Sequence, residues 1–371
     1  MDAGVQTPLA ETAGDPAAAV DTRPLAGDAA ATRGPASGLA FDWAFVGVCL
    51  WLVAGGAVDG WAHHNLQALE SFFTPWHAVL YSGLGAVVGF TVATLVRNHA
   101  RGYDWRRTLP AGYELSLVGM LIFAAAGVAD MGWHTLFGVE VDLEAALSPT
   151  HIVLALGAAL IVTGPLRAGW QRGIAGACRP GWAAQLPMVL SLAFLLSALT
   201  FMTQWAHPFV LALASERYRP SSAVLAFYPQ ALGVASVLLQ TACLMGLVLV
   251  ALRCWRLPRG TFTLVFTLNA VLLSVLRGEY RLIPAALLAG LAADVLVYWL
   301  RPSAARPILM RLFAFIVPVV LYSLYFAILM LSGRIWWSVH VWTGAVVLAG
   351  IVGWLVSYVL VPPGAPAERP G

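Results

Sequence analysis

The sequence predicts an all-α, polytopic transmembrane bundle of about ten helices. Three observations predict it: an apolar content too high for a water-soluble chain, apolar runs of membrane-spanning length that recur almost to the C-terminus, and arginines gathered in alternate loops. Hydrophobic residues make up 60% of the 371 residues, and the mean hydropathy is +0.79. A soluble domain of this length has too little interior to bury so much apolar surface.

The remaining composition excludes more than it assigns. The chain has no lysine; all 21 basic residues are arginines, and the net charge is only +3, so nucleic acid is not an expected partner. The lipid bilayer is. The four cysteines (Cys49, Cys178, Cys243 and Cys254) form no CxxC pair and read as reduced, inert thiols.

Residues 1–40 are rich in Ala, Gly, Pro, Thr and Asp and lack the apolar run of a signal peptide, so they read as a disordered tail. Ten spans follow: 41–58, 76–97, 112–130, 150–168, 184–203, 225–252, 260–276, 283–300, 308–331 and 338–361. A bilayer core of roughly 30 Å asks a helix for roughly 20 apolar residues. The seventh and eighth spans carry the weakest signal. Residues 362–371 read as a second short tail. The chain thus divides into helical hairpins at 41–168, which carry the motifs described next, and scaffold helices at 169–361.

Arginine sets the expected orientation. Arg97, Arg101, Arg106 and Arg107 follow the second span; Arg167, Arg172 and Arg179 follow the fourth. Arg253, Arg256 and Arg259 follow the sixth, and Arg301, Arg306 and Arg311 the eighth. The first two loops on the other side have no arginine. Positive-inside bias therefore predicts cytoplasmic N- and C-termini in a multi-pass cell-membrane protein.

Those two arginine-free loops share one formula: Asp, three residues, His, a variable loop, Glu, three residues, Ser or Thr, Pro, one residue, His, five residues, Gly. The first copy is Asp59, His63, Glu70, Thr74, Pro75, His77 and Gly83; the second is Asp130, His134, Glu144, Ser148, Pro149, His151 and Gly157. So many shared offsets predict a helical hairpin duplicated in tandem. A third, decayed copy is visible where Trp205-Ala206-His207 echoes Trp61-Ala62-His63, but Thr203 stands at the Asp position and the second His is missing.

The spacing has a chemical meaning. Asp and His four residues apart lie on one helix face, one turn from each other. Ser or Thr followed by Pro starts a helix well and puts His77 and His151 in the first turn of the returning helix. Each hairpin can then gather two imidazoles and one carboxylate, the ligand set of a mononuclear copper, zinc or non-haem iron site. Glu70 and Glu144 are candidates for a fourth ligand or for an outer carboxylate that fixes a histidine tautomer. Seven of the eight histidines (His63, His64, His77, His134, His151, His207 and His340) map to the outward ends of spans, and only His99 maps to the cytoplasmic side. Ionisable groups at membrane depth are costly and usually functional.

Plainer roles suit some of these residues. An Asp-x3-His pair can close a helix end by a local hydrogen bond. His64 lies off the Asp59–His63 face, and His99 sits among arginines. Asp294, toward the cytoplasmic side of the eighth span, is expected to pair with an arginine or to relay protons. Trp61, Trp76, Trp133, Trp205, Trp336 and Trp337 read as an interfacial aromatic belt. No phosphate loop, HExxH or nucleophile elbow is placed where it would work.

Asp59, His63 and His77, and equally Asp130, His134 and His151, resemble the copper motif of the C subunit of particulate methane and ammonia monooxygenases. In that family an Asp, a His four residues on and a later His bind copper. The resemblance covers about 20 residues per copy. It departs from the family in gap length, in the duplication and in chain length, and it implies a copper-type site, not a methane monooxygenase. A weaker analogy is to seven-helix zinc hydrolases of the ceramidase and adiponectin-receptor type, whose His-x3-His is absent here. The expected functions are a copper-binding membrane protein, as an oxygenase-like component or copper-handling factor, or a zinc-dependent membrane hydrolase. A transporter fits less well, because its ionisable groups belong near the midplane.

Overall fold

The computed structural model describes Met1, Pro35 and residues 38–66, 72–140, 143–175, 181–222 and 224–362. The expected tails lie almost wholly outside these residues, as do Glu70 and Cys178. The described chain is helical throughout, with two isolated β-bridges and no strand among the described residues.

The helices are α1 (Leu39–Asn65), α2 (Pro75–Ala100), α3 (Glu114–Phe137), a short α4 (Leu143–Leu147), α5 (Pro149–Val162) and α6 (Gly164–Ala175). They continue as α7 (Trp182–Met202), α8 (Phe227–Cys254), α9 (Thr261–Arg277), α10 (Ile283–Leu300), α11 (Pro307–Leu331) and α12 (Val339–Leu360). Among the described residues, 9 helical segments are long and apolar enough to cross a membrane; α9, at 17 residues, falls just short. It is one of the two spans whose sequence signal was weakest. At 1.5 Å per residue it still covers about 25 Å, and it packs between α1, α7 and α10.

Adjacent helices pair as antiparallel hairpins: α1 with α2, α3 with α5, α9 with α10, and α11 with α12. Glycine sets how closely the first two hairpins close. A methyl group at Gly83 would lie 2.7 Å from Leu52 Cα, and one at Gly157 would lie 2.9 Å from the backbone nitrogen of Phe123. Leu52 stands seven residues before Asp59, and Phe123 seven before Asp130, so the two hairpins meet in the same register. Small residues at such crossings let backbones approach where no hydrophobic drive separates helix from lipid.

The buried apolar residues form two main clusters. One lies among α1, α2, α3 and α5 and is joined by Phe194 of α7. The other runs through α7 to α12. Helix α7 contributes to both and, with α9, packs against the paired hairpins.

Several expectations change here. Asp294 accepts from the backbone N–H groups of Phe262 (3.1 Å) and Thr263 (2.9 Å) and from the Thr263 hydroxyl (2.6 Å). It caps the first turn of α9, where orphan N–H groups and the helix dipole favour a carboxylate. Trp337 is not on a rim: it is buried against Phe326 and over Gly233. Trp336 donates its indole N–H to the Leu213 carbonyl (2.8 Å). Cys49, Cys243 and Cys254 are free thiols, Cys49 buried.

Candidate metal centre

Helix α1 runs to Asn65, so Asp59 and His63 lie on its last two turns, and α2 begins at Pro75. The Thr74 hydroxyl accepts from the backbone N–H of His77 (3.1 Å), and the Ser148 hydroxyl accepts from that of His151 (3.3 Å). Both helices therefore start with a hydroxyl cap and a Pro in the first turn, the arrangement that aims the next His back over the preceding helix end.

The side chains of each set converge. In each, one nitrogen from either His and one carboxylate oxygen lie within 4.8 Å of one another, as Asp59, His63 and His77, and as Asp130, His134 and His151. His77 Nε2 is 3.4 Å from Asp59 Oδ1, and His63 Nε2 is 3.9 Å from Asp59 Oδ2. In the other set His134 Nε2 is 3.4 Å from Asp130 Oδ2 and His151 Nε2 is 3.3 Å from Asp130 Oδ1.

The two sets also face each other. Ring centroids of His63 and His77 are 5.7 Å apart, and those of His134 and His151 are 5.6 Å apart. Across the hairpins, His77 and His134 are 6.0 Å apart, and His63 and His151 are 6.3 Å apart. Exchanging the hairpins turns one cross-contact into the other. The four imidazoles thus form a quadrilateral with sides near 6 Å, flanked by two carboxylates.

Three of the four rings have an acceptor at Nδ1. His77 Nδ1 donates to the Phe72 carbonyl (2.6 Å), and His151 Nδ1 donates to the Ala145 carbonyl (2.5 Å). His134 Nδ1 faces Glu140 Oε2 at 2.9 Å and the Gly138 carbonyl at 3.4 Å. An acceptor at Nδ1 assigns a proton to that nitrogen and turns Nε2 to the aspartate. A protonated Nε2 makes this contact an ion pair; an unprotonated one offers a lone pair beside a carboxylate oxygen, which a cation between them stabilises. His63 differs: neither of its ring nitrogens has a hydrogen-bond partner among the described residues.

In the second set the outer carboxylate is not Glu144, while Glu70, its counterpart in the first set, lies outside the described residues. Glu144 is exposed on α4, and its backbone carbonyl accepts from the Ser148 N–H (2.9 Å). The carboxylate that reaches a ring is Glu140. Gly138 ends α3 with φ of +85° and turns the chain back across the helix end, which carries Glu140 to His134. A second missed residue is Thr150, whose hydroxyl donates to Asp130 Oδ1 (2.6 Å). A glycine and a glutamate just past His134 were the available signals for the first. A Thr between the Pro and the His was the signal for the second.

The remaining histidines serve other purposes. His64 Nε2 donates to Gln204 Oε1 (2.8 Å) and ties α1 to the segment after α7. His207 is buried, its Nδ1 accepts from the Phe209 N–H (3.1 Å), and burial pushes its pKa down to about 3. It lines a separate cavity of about 40 Å³ with Gln240, Asn269 and Tyr322. His340 is exposed at the start of α12. His99 is exposed and stacks on Trp105 at 3.9 Å.

Asp59, His63, His77, Asp130 and His151 all line one cavity of about 170 Å³, so the two sets share a chamber. Comparison with known protein families, with characterised proteins and with solved structures finds no match for this chain.

Proposed function

We propose that this chain is an integral membrane metalloprotein that holds two transition-metal ions, one per Asp/His/His set, in a single chamber. The observation that carries this reading is the convergence of both sets, with the Nε2 atoms turned to each aspartate. Two neutral imidazoles and a carboxylate match the donor set of copper, zinc or iron sites. Copper is the favoured occupant, because Asp-x3-His with a later His resembles the copper motif of the monooxygenase C subunits. The role that follows is an oxygenase-like component or a copper-handling factor.

The matched glycine register and the paired ring contacts support descent of the two hairpins from one duplicated unit. The arginine-rich loops support cytoplasmic termini and an extracytoplasmic chamber. Reporter fusions near residues 105, 175 and 257 are expected to report cytoplasm, and fusions near 67 and 141 the outside. Reversal at two of these positions defeats the orientation.

Metal analysis tests the central claim. Protein purified after growth with copper, zinc and iron is expected to carry two ions of one metal per chain. With copper(II) in both positions, the neighbouring ions should give a dipolar-broadened magnetic resonance signal that sharpens when either set is removed. Less than a trace of any transition metal under replete conditions ends the metal reading.

A further inference from the structure

The chamber does not stop at the histidines. Its wall on α1 runs from His63 down to Leu52, and its wall on α5 runs from His151 to Val162. Each spans twelve residues of helix, a rise of about 16 Å at 1.5 Å per residue. Leu52 and Val162 both lie near the middle of their spans, Leu39–Asn65 and Pro149–Arg172. The cavity is therefore a slot that begins at the Asp/His sets and ends near half-depth in the bundle.

Its walls are mostly apolar, with Leu80, Phe123, Leu154, Phe201 and Leu273 among them. Helices α7 and α9 close the side opposite the hairpins. The Tyr81 and Ser197 hydroxyls are the exceptions; that of Ser197 is buried, lines the slot and has no hydrogen-bond partner among the described residues. An apolar cavity of about 150 Å³ stays dry and takes up a small hydrocarbon guest. A volume of about 170 Å³ drawn out over about 16 Å is too narrow for a compact guest and suits an extended one.

We infer that the slot binds a single unbranched alkyl chain whose oxygen-bearing head lies among the Asp/His sets, as in a fatty acid or one tail of a bilayer lipid. The inference rests on the metal reading for what the head meets. The apolar walls and the length of the slot stand independently of it. A hydroxyl at Ser197 part-way down gives the slot one polar contact for a chain that carries oxygen there.

Photolabelling tests this on the full chain in lipid nanodiscs. The probes are hexadecanoic acid and a phosphatidylcholine, each with a diazirine in the distal half of the chain. Labelled peptides are mapped, with and without excess unlabelled hexadecanoic acid, and metal content is read on the same samples. The expected result is saturable labelling of 52–57 on α1 and 154–162 on α5. Labelling by both probes makes the source a bilayer lipid, and labelling by the fatty acid alone makes it a free amphiphile.

Two variants fill the slot from opposite walls. A side chain added at Gly56 first meets Leu80 Cδ1 at 3.9 Å, so Gly56→Leu enters open space. Ala158→Leu does the same from α5. Each is expected to lower saturable labelling at least tenfold. Gly85→Leu, where an added Cβ meets nothing within 4 Å and which does not line the slot, is expected to leave labelling unchanged. Labelling confined to lipid-facing positions such as Leu50 and Leu156, or labelling that neither slot-filling variant reduces, overturns the inference. If that result comes from protein carrying two ions, the metal reading survives. Saturable slot labelling in protein without metal would reject the metal reading alone.

Discussion

Among the described residues, each ligand around Asp130 is hydrogen-bonded by a group from outside its set, whereas around Asp59 only His77 is. The Thr150 hydroxyl holds Asp130, Glu140 holds His134 and the Ala145 carbonyl holds His151. In the other set the Phe72 carbonyl holds His77, but the His63 ring has no hydrogen-bond partner among the described residues. The residue that corresponds to Thr150 is Trp76, which packs edge-on to Trp61 at 5.5 Å. Side-chain exposure does not follow the same division: Asp59 is 15% exposed and Asp130 2%, but His151 is 18% exposed, against 9% for His63 and 6% for His77. The same three ligand types thus make, among the described residues, one set braced at every ligand and one braced at His77. Outer-shell groups that fix ring orientation and tautomer raise metal affinity. On the proposed metal reading, the Asp130 set is therefore expected to bind an ion more tightly, and the Asp59 set to exchange its ion more readily.

Removal of a ligand gives the largest effect on that contrast. His151→Ala is expected to lower bound metal from two ions per chain to one by losing the ion at the Asp130 set. His77→Ala should lose the other ion, since two remaining ligands hold a metal poorly. Elemental analysis of both variants checks this, and loss of both ions from either single variant breaks the picture of two separable sites. Next in size is Glu140→Gln, which removes the outer carboxylate from His134. Competitive metal titration should show the Asp130 site weakened about 10- to 100-fold with the Asp59 site unmoved; equal weakening at both sites would cancel the contrast.

Thr150→Val sharpens the comparison further by making the second set resemble the first. A hydrogen bond to a charged group is worth about 1.5–3 kcal/mol, but only the part that differs between bound and free states enters the affinity. The expected loss is about tenfold or less, confined to the Asp130 site. At the small end, Glu144→Gln and His99→Ala should each leave two ions per chain in the same analysis. A loss of metal on changing Glu144 would return that residue to the site.

Much of this was legible because its causes are local. Ten apolar runs correspond to helices, the short α9 among them, since bilayer thickness and backbone hydrogen bonding leave few alternatives to a helix. The Thr74-Pro75 and Ser148-Pro149 caps follow from chemistry within three residues. The outer carboxylate was not legible. Glu144 has the matching offset, but the geometry at the end of α3 depends on the left-handed Gly138, which brings Glu140 to the ring instead. Asp294 could not be assigned either: its partners are N–H groups 31 and 32 residues away, and a backbone donor leaves no mark in the side-chain pattern.

The sequence by itself determined the membrane-spanning helices, the two Asp-x3-His pairs and their returning histidines, because these depend on apolar run length, helical period and capping. Only the tertiary structure decided that the two sets form one quadrilateral of imidazoles, and that among the described residues one set is braced at every ligand and the other at His77. It alone opens the chamber into an apolar slot between the hairpins and α7 and α9. Those features arise where helices far apart in sequence meet, and packing between faces has no periodicity that a single chain can display.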